Sequence, residues 1–341
     1  MHIDLSVINS TIQTNFSRRN AVQTQGQYKS TESHYIIFCK LYDKDINSIN
    51  NIEERLCQFL TWKQLCVGIG WSAMRGHLYA VRSFYAENNI HIDVDSKSMR
   101  KAHGLIRAEK LRNPGGDGAK PVTIDMLKKW IKCMSNDKEY NKHDSNVWIA
   151  SWLSAFFGMK RISEYTFNPD KLKNVLVQDL SFEFEPTKNE FEQSSYCILN
   201  RRKGKTYQFG GDLYAVYLCT CNDGPCALCT FIELIKLRTI NKKYDQIKGN
   251  NLLEFSDGSV LNKYSAGKMI KDICRKTNID PEKISGHSMR KGGAQWAVKK
   301  GMPATSIMKQ ADWRSYGSFK RYNDNVSREN QIKMFKDKLS K

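Results

Sequence analysis

Residues 113–121, Asn-Pro-Gly-Gly-Asp-Gly-Ala-Lys-Pro, constrain this 341-residue chain more than any other stretch. Three glycines and two prolines in nine residues cannot continue a helix, so a mobile connector is expected there. The chain length suits two ordinary cores better than one large one. On the N-terminal side, Tyr35, Phe38 and Cys39, then Leu56, Phe59 and Leu60, then Met74, Leu78, Val81 and Tyr85 recur at three- and four-residue steps. Residues 31–112 therefore read as a small helical domain. Residues 1–30 are polar, rich in Ser, Thr, Asn and Gln and without periodicity, and read as a flexible arm.

Beyond the connector, residues 122–341 read as a second domain. Thr123 opens a helix with Met126, Leu127 and Trp130 on its apolar side, and another runs from about Ser145 to Phe157. Alternation then replaces helical spacing: Val175 and Val177, then Leu180, Phe182 and Phe184, then Tyr196 and Ile198, then Tyr207 and Phe209 predict strands. Residues 195–210 read as a hairpin whose tip carries Arg201, Arg202, Lys203 and Lys205 around Gly204. Residues 213–240 and 262–277 read as helices. The fold class is thus mainly α with a small antiparallel β-sheet (α+β).

Charge narrows the partner. Lys and Arg number 54 against 35 acidic residues, a net +19, which suits a polyanion, nucleic acid first and an anionic membrane second. No apolar run approaches the ~18 residues of a spanning helix, and no signal-peptide core follows Met1, so a soluble intracellular protein without a membrane partner is expected. Arg100, His103, Arg107 and Lys110 fall at helical spacing opposite Met99, Ala102, Leu105 and Ile106, and Arg75 and Arg82 stand seven apart on the preceding helix. Few acids interleave, and these cations read as a phosphate-tracking surface.

Five of the ten cysteines, Cys39, Cys57, Cys66, Cys133 and Cys274, sit singly in apolar surroundings and read as buried thiols. Cys219, Cys221, Cys226 and Cys229 cluster. Their second pair has the two-residue spacer of a zinc site, but the one-residue spacer of the first fits poorly, so a loop with helix capping and buried thiols, without metal, is the expected reading.

Residues 286–322 gather His287, Arg290, Trp313 and Tyr322. His287 and Arg290, three apart, share a helix face, where imidazole and guanidinium together suit one phosphate. With Ala119-Lys-Pro-Val-Thr123, the box Phe157-Gly-Met-Lys-Arg161-Ile-Ser-Glu164, Lys205-Thr206 and His287-Ser-Met-Arg290, the second half resembles the catalytic domain of the tyrosine recombinases, or phage-integrase family. Trp313 stands at that family's His-or-Trp position and Tyr322 where its nucleophile belongs. Gly286–Ala294 and Ala311–Ser315 look most like recombinases of eukaryotic mobile elements of the Crypton and DIRS-like groups. By position, the helical residues 31–112 resemble the family's core-binding domain.

The resemblance implies a DNA recombinase or integrase working on double-stranded DNA without metal or ATP. Tyr322 would attack the phosphodiester to give a 3′-phosphotyrosyl link. Arg161 and Arg290 would hold the non-bridging oxygens, and His287 would take or relay the tyrosine proton. Lys205, preferred over Lys203 because Lys-Thr matches the family pattern, would protonate the leaving 5′ oxygen. Trp313 would pack and donate an indole N–H, and Glu164 would orient its neighbours. Tyr316 is a rival nucleophile only three residues after Trp313. Gly292 and Gly293 fit either DNA approach or close helix packing. The amphipathic stripe Ile332, Phe335 and Leu339 fits either a helix docking on a neighbour, giving a homotetramer on two duplexes from a free monomer or dimer, or one folding back. The nucleus is expected for a eukaryotic mobile element, the cytoplasm otherwise. A DNA-binding relative without strand exchange and a type IB topoisomerase or telomere resolvase are the alternatives.

Overall fold

The computed structural model describes residues 22–95, 99–113, 119–169, 174–187, 189–201, 213–222, 224–320 and 322–323. The chain forms two compact units divided between residues 117 and 118, within the glycine-proline stretch. Arg202, Lys203, Lys205, Tyr207 and Phe209 lie outside the described residues, as do residues 1–21 and the stripe of Ile332, Phe335 and Leu339.

Among the described residues the first unit has four helices: α1 (Val22–Leu41), α2 (Ile52–Val67), α3 (Trp71–Glu87) and α4 (Arg100–Arg112). Tyr35, Phe38, Leu56, Phe59, Leu60, Met74, Leu78, Val81 and Tyr85, the residues picked out by spacing, form its core with Ala102 and Ile106. Helix α1 begins at Val22, so residues 22–30 are helical rather than an irregular arm. Thr31 gives the reason for order there: its hydroxyl donates to Gln27 O at 3.0 Å and lies 2.8 Å from His77 Nδ1, tying α1 to α3. Buried Arg55 donates to Tyr85 Oη at 2.9 Å and to the carbonyls of Asp45 and Ser48, so a guanidinium organises the loop after α1. Gly68 ends α2 with φ of 70°, a left-handed turn that glycine adopts without strain.

The second unit is built around α6 (Lys142–Phe157), whose residues 147–156 are buried on every face. Three helices cover it: α5 (Ile124–Ser135), capped by Thr123 Oγ1 accepting from Met126 N; α7 (Ala227–Thr239); and α10 (Gly286–Lys299). A short α8 (Tyr244–Ile247), then α9 (Lys263–Lys276) and α11 (Ala304–Gln310) complete the named helices. The three-stranded antiparallel sheet runs β1 (Leu180–Phe182), β2 (Tyr196–Arg201), β3 (Leu213–Leu218) in that order, with Ile198 opposite both Ser181 and Val216. This is the α+β class expected from the sequence.

Two local expectations change. Residues 213–218 are a strand, not the start of a helix. Leu213, Ala215 and Tyr217 are buried at period two, and helix begins only at Ala227 after the cysteine loop. Val175 and Val177 do not form a strand, since Leu176 makes a single bridge to Asn251 and a 3-10 turn follows at Val177–Asp179. Both valines are still buried, which is why their alternation misled.

Gly292 and Gly293 are explained by packing. A Cβ on Gly292 would lie 1.8 Å from Val122 O, and one on Gly293 1.8 Å from Phe156 O, so α10 meets the backbone before α5 and at the end of α6 where no side chain fits. Of the singly placed cysteines, Cys39 and Cys274 are buried and Cys57 and Cys133 half-buried, but Cys66 is exposed near the end of α2; in the cluster only Cys226 is buried, and Cys219, Cys221 and Cys229 are exposed. Among the described residues no helix is long and apolar enough to cross a membrane.

Candidate active site

Helix α6 ends in a tight turn that sets the first site residues. Gly158 is needed there because a Cβ would lie 2.2 Å from Tyr217 Oη, and Met159 follows with φ of 50°. The chain then places Lys160 inward and Arg161 at the head of the 3-10 turn Ile162–Glu164. Arg161 Nη1 donates to Glu164 Oε1 at 2.7 Å, and its backbone N–H donates to Glu164 Oε2 at 2.7 Å. The acidic residue three positions on thus holds the arginine at both ends.

Arg290 comes from α10. Its side chain is wholly buried and donates to Met159 O and Ala311 O, each at 2.6 Å, with Nη1 3.7 Å from Glu164 Oε2. Its Cζ lies 4.9 Å from the centre of the Trp313 ring, a cation–π contact. Trp313 in turn stacks on Tyr322, with centroids 5.0 Å apart and planes 20° from parallel. Gln295, five residues beyond Arg290 on α10, donates its amide to Tyr322 O at 3.0 Å. Tyr322 is therefore held by side chain and backbone beside Arg290. Tyr316, the rival, is 62% exposed and rests on Phe319. His287 is exposed in the first turn of α10, which Ser285 caps.

Three participants were not anticipated. Buried Lys160 donates to Gln310 O at 2.7 Å and Asp312 Oδ2 at 3.1 Å. Arg201, expected at an exposed hairpin tip for DNA, is instead 6% exposed at the end of β2, where it donates to Asp312 Oδ2 and lies 3.8 Å from Glu164 Oε1. The reason is register: Arg201 pairs with Leu213 inside the ladder and points with Cys197 and Leu199 into the fold. Asp312 reaches both cations from a left-handed backbone, φ 53°. Gln310 adds a clasp, donating to Phe157 O at 3.1 Å and Val216 O at 2.7 Å while accepting from Val216 N at 3.1 Å. The adjacency of Lys160 to Arg161 and of Asp312 to Trp313 was the only sequence signal for this pair.

The electrostatics follow. Four cations, Lys160, Arg161, Arg201 and Arg290, face two carboxylates, Glu164 and Asp312, leaving the cluster positive. Burial pushes the Glu164 carboxyl up, but the guanidiniums of Arg201, Arg161 and Arg290 outweigh it and hold it below the usual range. Burial, then Arg201, pushes the Lys160 ammonium down to about 8 against the pull of Asp312. Burial and the neighbouring Arg161 bring Arg290 down to about 10, so it stays charged at neutral pH.

In the first unit, α3 and α4 flank a groove of about 250 Å³ whose lining includes Trp71, Arg75, Tyr79, His103, Arg107 and Lys110, together with the carboxylate residue Asp95. Lys110 Nζ lies 5.0 Å from the Trp71 ring centre. The groove brings together four of the stripe residues. Arg82 is engaged with Asp95 at 3.7 Å, and Arg100 opens α4.

Residues 230–329 match the phage integrase family model. No curated protein sequence matches the chain. Similar solved structures include the Tn1549 transposon integrase in complex with transposon right end DNA, with 12% identity, TM-score 0.60, and coverage of 95% of this chain and 97% of that one. The XerH site-specific recombinase bound to palindromic difH substrate, a post-cleavage complex, gives 15% identity and TM-score 0.58 over 87% of this chain and 76% of that one. A lambda integrase dimer bound to a COC′ core site gives 12% identity and TM-score 0.57 over 94% of each chain. At such identities the likeness is one of fold, and that fold is the tyrosine recombinase one.

Proposed function

We propose that the chain is a tyrosine-type DNA recombinase or integrase that breaks and rejoins double-stranded DNA through Tyr322. The observation carrying this reading is the convergence of Arg161, Glu164, Arg290, Trp313 and Tyr322, drawn from three separate segments, on one positively charged cluster. A tyrosine is a weak nucleophile at neutral pH, and an adjacent pair of guanidiniums favours both its phenolate and the charge that builds on the phosphorus centre.

In the proposed step Tyr322 Oη attacks phosphorus and the 5′ oxygen leaves, so one P–O ester replaces another and reversal needs no outside energy. Arg161 is the more accessible guanidinium, 21% exposed at its side chain, while Arg290 is wholly buried. DNA must therefore uncover Arg290, and displacement of Tyr322 from the Trp313 ring is the movement that would do so. His287 would take the phenol proton and Lys205 would supply the one that leaves with the 5′ oxygen. The groove of Arg75, His103, Arg107 and Lys110 would follow the phosphate backbone without reading sequence. The proximity of Tyr322 to its own Arg290 favours action in cis. The Crypton or DIRS-like placement, nuclear residence and a tetramer on two duplexes belong to the same proposal and rest on the sequence resemblance.

The test begins by selecting bound duplexes from a random pool with Tyr322→Phe, then nicking the selected site to make a suicide substrate. Wild type should form a denaturation-resistant adduct whose linked peptide contains Tyr322, and Tyr322→Phe should bind but form none. An adduct on Tyr316, or one persisting in Tyr322→Phe, sinks the assignment. Tight binding with no adduct by wild type favours a binding-only relative.

A further inference from the structure

The strand-transfer reading leaves one group of side chains unused. Cys219 and Cys221 follow β3, Cys226 caps α7, and Cys229 lies in the first turn of that helix. Their four Sγ atoms all lie within 4.8 Å of one another, with Cys221 and Cys229 at 3.2 Å. Four sulfurs around one zinc at about 2.3 Å would stand roughly 3.8 Å apart, so the four thiols are gathered at the spacing a single ion requires. The one-residue spacer that counted against the first pair is answered by the backbone. Cys219 N still donates to Ser195 O at 3.0 Å past the end of β3, the chain then turns at Cys221, and both thiols of the pair reach the same cluster.

The loop also supplies support around the sulfurs. Cys226 Sγ accepts from Thr220 N at 3.4 Å and from Cys229 N at 3.5 Å, the amide contacts that stabilise a thiolate ligand. Thr220 Oγ1 donates to Pro225 O at 2.8 Å and Gly224 N to Thr220 O at 3.0 Å, closing the loop between the two cysteine pairs. Gly224 has φ of 141°, and a Cβ there would lie 2.7 Å from Lys128 Cε, so a cation from α5 sits against the loop. Four thiolates on a divalent ion leave two net negative charges, which that lysine partly offsets.

We infer that Cys219, Cys221, Cys226 and Cys229 bind one zinc ion in an all-thiolate tetrahedral site that clips the end of β3 to the start of α7. With every position filled by protein the ion is structural rather than catalytic. Binding takes up the ion and releases the thiol protons to solvent, with no change of oxidation state. The clip anchors the strand that pairs with β2 along its full length, and β2 delivers Arg201 to the catalytic cluster.

The full chain, purified under reductant and dialysed against metal-free buffer, should retain about one zinc per molecule by elemental mass spectrometry. Exchange with cobalt should give the intense visible bands and near-ultraviolet charge transfer of tetrahedral cobalt thiolate. Cys221→Ser and Cys226→Ser should lose both signals, whereas Cys66→Ser, at an exposed thiol on α2, should keep them. The wild-type readouts stand even if a ligand variant fails to fold. Absence of retained zinc and of cobalt thiolate bands in wild type overturns the inference. So does a Cys221–Cys229 disulfide that accounts for the pair in metal-free protein, or undiminished cobalt bands in Cys226→Ser.

Discussion

Replacing Asp312 with Asn tests whether the cluster under the site is held together by charge. Asp312 pairs with Lys160 Nζ at 3.1 Å and with Arg201, and the three side chains are only 6%, 1% and 3% exposed. Removing its charge leaves two buried cations with Glu164 as the remaining carboxylate, a situation that costs about 3–5 kcal/mol. Asn keeps an acceptor oxygen, which places the expected loss near 3 kcal/mol, or about 6–12 °C for a unit of this size. Five of the seven tryptophans follow residue 118, so tryptophan fluorescence during urea unfolding reports mainly this unit. Lys160→Met in the Asp312→Asn background should recover at least about 1 kcal/mol, because the uncompensated charge is then gone. pH supplies a second reading. With Lys160 at about 8 when folded and near 10.4 when unfolded, the unfolded chain binds more protons between those values. Stability therefore rises with pH across that window, and the excess of wild type over Lys160→Met shows it. Asp312→Asn within 1 kcal/mol of wild type, or strict additivity in the double variant, would refute the reasoning.

Gly292→Ala and Gly293→Ala should each destabilise the second unit by about 3 kcal/mol or more, since backbone atoms must move to admit a Cβ. Gly267→Ala, in α9 with nothing within 4 Å, should instead stabilise by roughly 0.5–1 kcal/mol, and comparative thermal melts check both. His77 is pushed down to about 4 by burial, then by Lys63 and His34, so the first unit should lose stability as pH falls from about 6.5 toward that value. Hydrogen exchange in α1–α4 should show this, and His77→Gln should flatten it. Removing Arg75, Arg107 or Lys110 should lower the slope of log affinity for duplex DNA against log salt by about 0.9 for each phosphate no longer neutralised, as titrations at several salt concentrations would show.

The sequence exposed what repeats or clusters locally. Helical spacing found the core of the first unit, and Arg161, Glu164, Arg290, Trp313 and Tyr322 could be named before their meeting was seen. Long-range pairing was hidden. Lys160 contacts Asp312 from 152 residues away, and a lysine in a sequence reads as a surface charge until its partner is in place. Arg201 was misplaced because a run of basic residues around a glycine reads as an exposed turn, while the ladder continues through it to Leu213. The strand at 213–218 was missed because its apolar residues run almost unbroken, which suits a helix equally well.

Gln310 has a consequence for how the protein behaves among copies of itself. Strand β3 is an edge of the sheet, and an open edge invites another chain to add a strand. At Val216, mid-strand, the outward N–H and C=O are both taken by one glutamine amide, which imitates the peptide of a missing neighbour. An incoming strand would have to evict a side chain whose own backbone carbonyl accepts from Lys160. Protection against edge-to-edge aggregation and the seating of buried Lys160 are thus vested in one residue.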